Sequence, residues 1–503
     1  MGSAAGKTGP RSKDVEADGA ATTSLGNHII CPPASRQPHL STWAAGAEPL
    51  PDLPVHLLQE IQRGNVVAFV GAGFSRPANL PLWGNLVASL ADDAGNGAAD
   101  VAPMVRQLAM SSSAQDLDLA AQILCDAMGK ELFQSGIRRK LTVDHETLSA
   151  QMKNRLNYLH GIPFAAILTT NFDNLLHGVD AQDTQLFGKL ATRVLRQKPT
   201  EFERLEQIAF SKGEPTTPIL KLHGDVSRPE STLVCTREGY RELLHGGSRY
   251  STFVRTLFAT HVILFIGFSF TDDYLNSLRS EIVSLFAREH GDPLCYAIFN
   301  DCHPIKQAAL SQHDGLAVIN YSSKEGTDFS GFDLILRQLH ATTNPLLNIG
   351  RKLDLRTVLW MHTNWETARD SPFLKACLER ANQDALGTRT CNIKVLRDAA
   401  GCIDAVGEES GCDAIICTFD NRNHDHQGPV GKSTFDLLLA LRRLKTAPPV
   451  LVLGFDGDET YPYEDRRADC IRAGARCYTN LFWELLQELS FVLDSTPPAK
   501  SPL

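Results

Sequence analysis

Asn171, Asp173 and His223 attract attention by where they fall in the chain. The first two close the stretch Ala165–Asp173 (AAILTTNFD), and the third lies in Pro218–Asp225 (PILKLHGD). Each follows an apolar run that reads as a buried strand, so each is delivered at a strand's carboxyl end. A lone histidine is usually structural. One set between an apolar strand and Gly224 faces the edge where ligands bind, and imidazole is the side chain suited to take a proton near neutral pH. Asn171 fits a simple turn, and equally a group that holds a hydroxyl or a water. Asp173 fits a helix cap or a ligand contact. Together these residue types offer a base, an orienting amide and a carboxylate.

Two more stretches end in the same way. In Asn65–Trp83 (NVVAFVGAGFSRPANLPLW) the run Val66–Val70 stops at Gly71-Ala72-Gly73. Two glycines permit a tight turn and bring backbone N–H groups close to a ligand, and a helix restarting there would favour an anion. The third glycine of G-x-G-x-x-G would fall at Arg76, so the dehydrogenase fingerprint fails. His261–Asp273 (HVILFIGFSFTDD) ends at Gly267 and Ser269. Ser75 and Ser269 suit either phosphate or ribose contacts or helix capping. In an open parallel sheet all four strand ends line one edge, which predicts a Rossmann-like sheet with a nucleotide diphosphate at the end of its first strand.

The order GAG-x-S, T-x-N-x-D, K-L-H-G, G-x-S resembles the sirtuin (SIR2) family, and more closely the SIR2-like domains of bacterial defence and NAD-hydrolysing proteins. The residues that carry it are Gly71, Ala72, Gly73 and Ser75; Thr169, Asn171 and Asp173; Lys221, Leu222, His223 and Gly224; Gly267 and Ser269. Pro81-Leu82-Trp83 is similar to the P-x-W after the glycine turn of that subgroup, with Trp83 read as packing. The resemblance spans roughly residues 53–339. It implies that Asn171 and His223 are catalytic, and that Gly71, Ala72, Gly73, Ser75, Thr169, Thr170, Asp173, Gly267 and Ser269 bind NAD, which is the substrate. Asp173 would hold the nicotinamide carboxamide. Sirtuin deacylases usually carry a four-cysteine zinc module after the histidine motif; here Cys235 stands alone between His223 and Gly267. No zinc is expected, and water becomes the acceptor. The implied activity is an NAD+ glycohydrolase, in defence or immunity, quiet until triggered. The competing expectation is a non-catalytic NAD or ADP-ribose sensor, with protein deacylation a distant third.

Composition agrees with an ordinary globular protein. Its 503 residues are 43% hydrophobic and 21% charged, with a net charge of −9 that argues against a generally basic nucleic-acid surface. No apolar run approaches the length of a membrane span. Twelve scattered cysteines without a C-x-x-C pair suggest reduced thiols in the cytoplasm. A homo-oligomer is expected, and a protein trigger or partner would act through the C-terminal region.

Residues 1–50, rich in Ala, Gly, Ser, Thr and Pro, read as disordered; the myristoylation pattern at Met1-Gly2 fails at Gly6. The catalytic domain is expected over 51–343, with a helical insertion from Trp83 to about Leu159 broken at Gly95-Asn96-Gly97 and Ser111-Ser112-Ser113. A short strand and a helix are expected over Leu233–Leu244. Residues 344–355 read as a linker and 496–503 as a tail. Between them, 356–495 alternates strands and helices, which predicts a second, flavodoxin-like doubly wound α/β domain. It resembles response-regulator receivers, in a divergent receiver-like or TIR-like branch. Phosphorelay chemistry is not expected: His362 and Thr363 stand where an acidic pair is needed, Thr418 stands at the phosphoacceptor position with Asp420 two residues late, and Thr479-Asn480 replace the usual lysine. Gly431-Lys432-Ser433-Thr434 reads as a loop before a capped helix, since His426 stands where a P-loop needs glycine. His424, Asp425 and His426 read as solvated loop.

Overall fold

Five consecutive apolar residues, Val66–Val70, can only be buried on both faces at once, and they form strand β1 at the centre of a seven-stranded parallel sheet. The computed structural model describes residues 52–111, 113–196, 204–205, 217–245, 249–268, 292–323, 329–362, 370–383, 390–408, 412–419, 432–444, 446–454 and 461–495. The N-terminal segment 1–50, the tail 496–503, Ser269, Thr363, Asp420, the His424-Asp425-His426 run and Gly431 lie outside the described residues.

The other strands of the first sheet are β2 (Ala166–Thr169), β3 (Val179–Asp180), β4 (Ile219–Lys221), β5 (Val262–Ile266), β6 (Cys295–Asn300) and β7 (Leu316–Tyr321), in the order β3-β4-β2-β1-β5-β6-β7. Apart from the two-residue β3, this is the doubly wound Rossmann order, and the direction of winding reverses between β1 and β5. Val66, Ala68 and Val70 face a core shared with the helices Val55–Gln62, Ala150–Gly161 and Ser330–Thr343. Val67 and Phe69 face a second core, made with the helices Thr184–Arg196 and Arg249–Thr260. No helix among the described residues is long and apolar enough to cross a membrane.

The expected insertion is a set of helices, Trp83–Asp93, Ala102–Ala109, Ala114–Met128 and Lys130–Leu141, but it ends earlier than the expected Leu159, because the helix Ala150–Gly161 packs through Met152 and Leu159 into the first sheet's core. The insertion's core takes in Val226, Leu233 and Cys235 from the loop after β4, so the insertion covers the carboxyl edge of the sheet there. The short strand expected at Leu233 does not form. Residues 231–235 are irregular, tied by the Val234 N–H to the His223 carbonyl at 2.8 Å, and lead into the helix Arg237–His245.

The second sheet contains β8 (Thr357–Met361), β9 (Asn392–Leu396), β10 (Ala414–Thr418), β11 (Val450–Leu453) and β12 (Cys477–Thr479), all parallel, in the order β12-β11-β10-β8-β9. That is the flavodoxin-like order. Val358 and Trp360 point to one core and Leu359 and Met361 to the other. Trp360 donates its indole N–H to Thr418 Oγ1 at 3.1 Å, and Thr479 Oγ1 donates to Glu484 at 2.6 Å. His362 is buried, and desolvation lowers its pKa.

Residues 344–355 hold a helix, Pro345–Lys352, capped by the Asn344 side chain. Leu346, Ile349 and Leu353 enter the core of the second sheet, and a Cβ on Gly350 would stand 2.2 Å from the Ala381 carbonyl oxygen. Leu205, from the chain between β3 and β4, is fully buried in that same core, and the Arg204 guanidinium lies 5.7 Å over the Trp483 ring. Leu50–Leu503 pack as one compact unit.

Candidate active site

The carboxyl ends of β1 and β5 meet backbone to backbone. A Cβ on Gly73 would lie 2.8 Å from the Gly267 carbonyl oxygen, and Gly267 itself has φ +64°, with a Cβ position 2.4 Å from the Phe74 nitrogen. Only glycine fits such an approach. The sequence suggested that the Gly71 and Gly73 N–H groups face a ligand. They instead donate to the Ile266 carbonyl at 3.0 Å and the Gly267 carbonyl at 2.8 Å. The β1–β5 ladder simply runs on past the strand ends, since Val70 already pairs with Ile266. The chain then makes a tight 3-10 turn, Ala72–Ala78, with Pro77 inside it, rather than an α-helix with an anion-binding terminus. Ala72 is exposed and Gly73 half-buried.

Ser75, on that turn, joins the two polar residues of the next strand end. Its hydroxyl donates to Asp173 Oδ2 at 3.0 Å, and the Asn171 amide donates to Ser75 Oγ at 3.2 Å. The chain has a direction: Ser75 donates to Asp173 and the Asn171 NH2 donates to Ser75, which leaves the Asn171 carbonyl oxygen as the acceptor the amide presents. Asp173 also accepts from the Leu175 N–H at 3.1 Å and is 6% exposed. Both of its oxygens are therefore engaged within the protein, and burial pushes its carboxyl above the usual range while Lys221 opposes the shift. Thr169 is equally internal: its hydroxyl donates to the Val70 carbonyl at 2.9 Å and accepts from the Asn171 N–H at 3.0 Å. Thr170 is half-buried beside it.

Lys221 ends β4 opposite Thr169 in register. Its side chain is fully buried, its ammonium donates to the Asp173 carbonyl and, at 3.3 Å, to the Phe172 carbonyl, and Asp225 Oδ1 lies 3.5 Å away. Burial lowers the lysine pKa, with Asp225 and Asp173 opposing. Two residues on, His223 is 3% exposed, with Nδ1 3.4 Å from the Tyr240 hydroxyl. Phe172 bridges the two strand ends, its ring 6.4 Å from His223 and 5.8 Å from Trp83. The structure thus brings Ser75, Asn171 and Asp173 together and sets His223 two residues past the end of the adjacent strand, while Gly267 abuts Gly73.

Sequence reasoning assigned no role to three cations that shape this edge. Arg155 donates to the Phe74 carbonyl at 3.0 Å, binds Asp333, and stacks 4.5 Å over Phe332. Arg138 donates to the carbonyls of Asp225, Val226, Arg228 and Ser231, folding the loop after His223 around one guanidinium. Lys221 was legible only as part of a motif. Cys235 lies buried in the insertion's core, its thiol pKa pushed up by desolvation.

A doubly wound parallel sheet whose β1 and β5 carboxyl ends meet at glycines, with an amide and an imidazole just past the neighbouring strands, offers the kind of edge at which nucleotide-type α/β sites are found. Residues 165–319 match the family model of the SIR2-like domain, and the chain carries such a domain. It is similar to the NAD(+) hydrolase ThsA of Enterococcus faecium, 26% identical over 229 residues, which are 44% of this chain and 41% of that protein. The NAD(+) hydrolase ThsA of Bacillus cereus (strain MSX-D12) is 21% identical over 324 residues, 63% of this chain and 61% of the relative. Defense-associated sirtuin 2 of Bacillus subtilis is 23% identical over 277 residues, 53% of this chain and 24% of that protein. The chain spans between about two fifths and three fifths of the length of these two ThsA relatives.

Proposed function

We propose that this protein is an NAD+ glycohydrolase that releases nicotinamide and ADP-ribose. The observation that carries the reading is the directed chain from Asp173 through Ser75 to Asn171, which turns the amide oxygen into a fixed acceptor two residues past the end of β2, as His223 lies two residues past the end of the paired strand β4. The bond from ribose C1′ to nicotinamide already has a cationic leaving group. As it breaks, its electron pair neutralises the pyridinium nitrogen, so no general acid is needed. The Asn171 oxygen accepts a hydrogen bond from the attacking water or a ribose hydroxyl. The water oxygen bonds to C1′ and its proton passes to His223. The ribose acquires oxocarbenium-like charge, for which an enclosed, pre-oriented polar site is the main requirement.

In this reading Asp173 and Thr169 act from behind, holding Ser75 and the Asn171 turn, while Ala72, Gly73, Thr170 and Gly267 border the dinucleotide; Ser269 is assigned to the same site by resemblance alone. The name of one relative, Defense-associated sirtuin 2, supports a defence role. The reading includes a cytoplasmic homo-oligomer, a catalytic domain over 51–343, and a receiver-like domain over 356–495 through which a trigger acts.

Nicotinamide release from NAD+ tests it, with wild type beside Asn171→Ala and His223→Ala. Loss of at least about a hundredfold in both variants is expected. Wild-type protein that binds NAD+ yet releases nothing under any trigger would instead be a sensor, and the proposal would fall.

A further inference from the structure

His223 sits in an aromatic enclosure that its own strand does not build. The Tyr240 ring meets the imidazole edge-on, with centroids 5.1 Å apart and planes at 85°, and its hydroxyl is 3.4 Å from Nδ1. Tyr240 belongs to the helix Arg237–His245, whose first turn is fastened to the helical insertion. The Arg237 guanidinium donates to the Gln115 carbonyl at 2.8 Å, and the Glu238 N–H donates to the Gln122 side chain at 3.1 Å. The Gly239 N–H donates to Thr236 Oγ1 at 3.2 Å. The phenol is therefore held against the imidazole by an element anchored elsewhere.

We propose that Tyr240 is a positioning residue that holds His223 in its Nδ1–H tautomer and so assigns the base to Nε2. The inference rests on the hydrolase reading above. A neutral imidazole carries one proton. On Nδ1 it donates to the Tyr240 oxygen, and Nε2 offers its lone pair to the water proton. In the opposite arrangement the phenol donates to Nδ1, Nε2 carries the hydrogen, and the ring is no base at that atom. When the water O–H bond breaks and the Nε2–H bond forms, the ring becomes cationic. The Nδ1–H hydrogen bond to Tyr240 is then charge-assisted, so it is stronger in the transition state than in the ground state. Tyr240 acts on kcat for that reason, through His223.

The test is Tyr240→Phe in the full chain, which keeps the ring and removes only the hydroxyl. Nicotinamide release should fall about tenfold in kcat with KM for NAD+ unchanged. In a His223→Ala background the same substitution should have no further effect, because the two act as a unit. A wild-type kcat in Tyr240→Phe, or an equal fractional loss in both backgrounds, overturns the inference and leaves the hydrolase reading standing. Should wild type release no nicotinamide at all, the hydrolase reading fails by itself, and 15N-histidine spectra decide the tautomer. The His223 signal is identified by its absence in His223→Gln. Nδ1 protonated in wild type and losing that preference in Tyr240→Phe supports the inference; Nε2 protonated in wild type overturns it.

Discussion

Ser75 has a hydroxyl that must serve two partners with opposite needs, and this makes it the most informative small residue in the site. It gives its hydrogen to Asp173 and its lone pair to Asn171. Ser75→Ala removes both bonds without adding bulk. Loss of amide orientation should lower nicotinamide release about tenfold or more, and the stranded Asp173 oxygen should cost roughly 1–3 kcal/mol of stability, as read by a steady-state assay beside urea unfolding. Lys221 poses the contrary case. Removing its charge as Lys221→Met leaves Asp225 and Asp173 buried without their counter-ion. A destabilisation of about 3–5 kcal/mol is expected from urea unfolding, because breaking a buried pair strands the remaining charge. An Asp173 that mainly contacted substrate would give the reverse ranking, a large activity effect and a small stability effect.

At the scale of elements, two helices packed on one face of the first sheet carry a pH dependence. His160 and His340 lie on Ala150–Gly161 and Ser330–Thr343, and a Cβ on Gly161 would stand 2.1 Å from the His340 ring, which shows how tightly these helices meet. Burial lowers both histidines from 6.5 to about 4. The unfolded chain therefore binds protons near pH 6 that the folded chain does not. Stability is complete above about 6.5 and falls as pH drops toward 4, by roughly 1–3 kcal/mol for each ring. Urea midpoints at pH 7.5 and 5 should show the fall, and His160→Gln with His340→Gln should flatten it.

The elements also differ in how plainly the sequence announces them. The strands were legible because burial on both faces writes an unbroken apolar run, as in Val66–Val70 and Val262–Ile266. Val179–Asp180 was not, since two residues cannot establish a period. Thr184–Arg196 carries Phe187, Leu190, Ala191, Val194 and Leu195 at helical spacing against the core, a signal obscured by the polar residues of the longer stretch around it. At the site the side chains could be named, but their wiring could not. Arg155 meets Asp333 across 178 residues, and nothing local in either stretch announces the other. The glycine turn was expected to bind a ligand through N–H groups that the neighbouring strand in fact occupies. That partner is fixed by sheet order, which the sequence leaves open.

At the scale of the molecule, Leu205 is a residue of the first sheet's chain housed in the second sheet's core. The Pro345–Lys352 helix reinforces the union, with Lys352 bonded to Ser490 at 2.7 Å and to Asp494 at 2.5 Å on the last helix. Leu205→Asp should lower the melting temperature of the full chain, since it buries a charge among Ile349, Trp483 and Leu486, and a single cooperative transition is expected in calorimetry because both sheets form one unit. Two separated transitions, with the substitution shifting only one, would contradict this. The same side chain has a consequence for descent. A gene fusion that exchanged everything after Thr343 would import a core with no hollow matched to Leu205, so a viable recombinant must carry its change at residues 204–205 as well. The inheritable module is defined by contact, and its border does not coincide with any single cut in the chain.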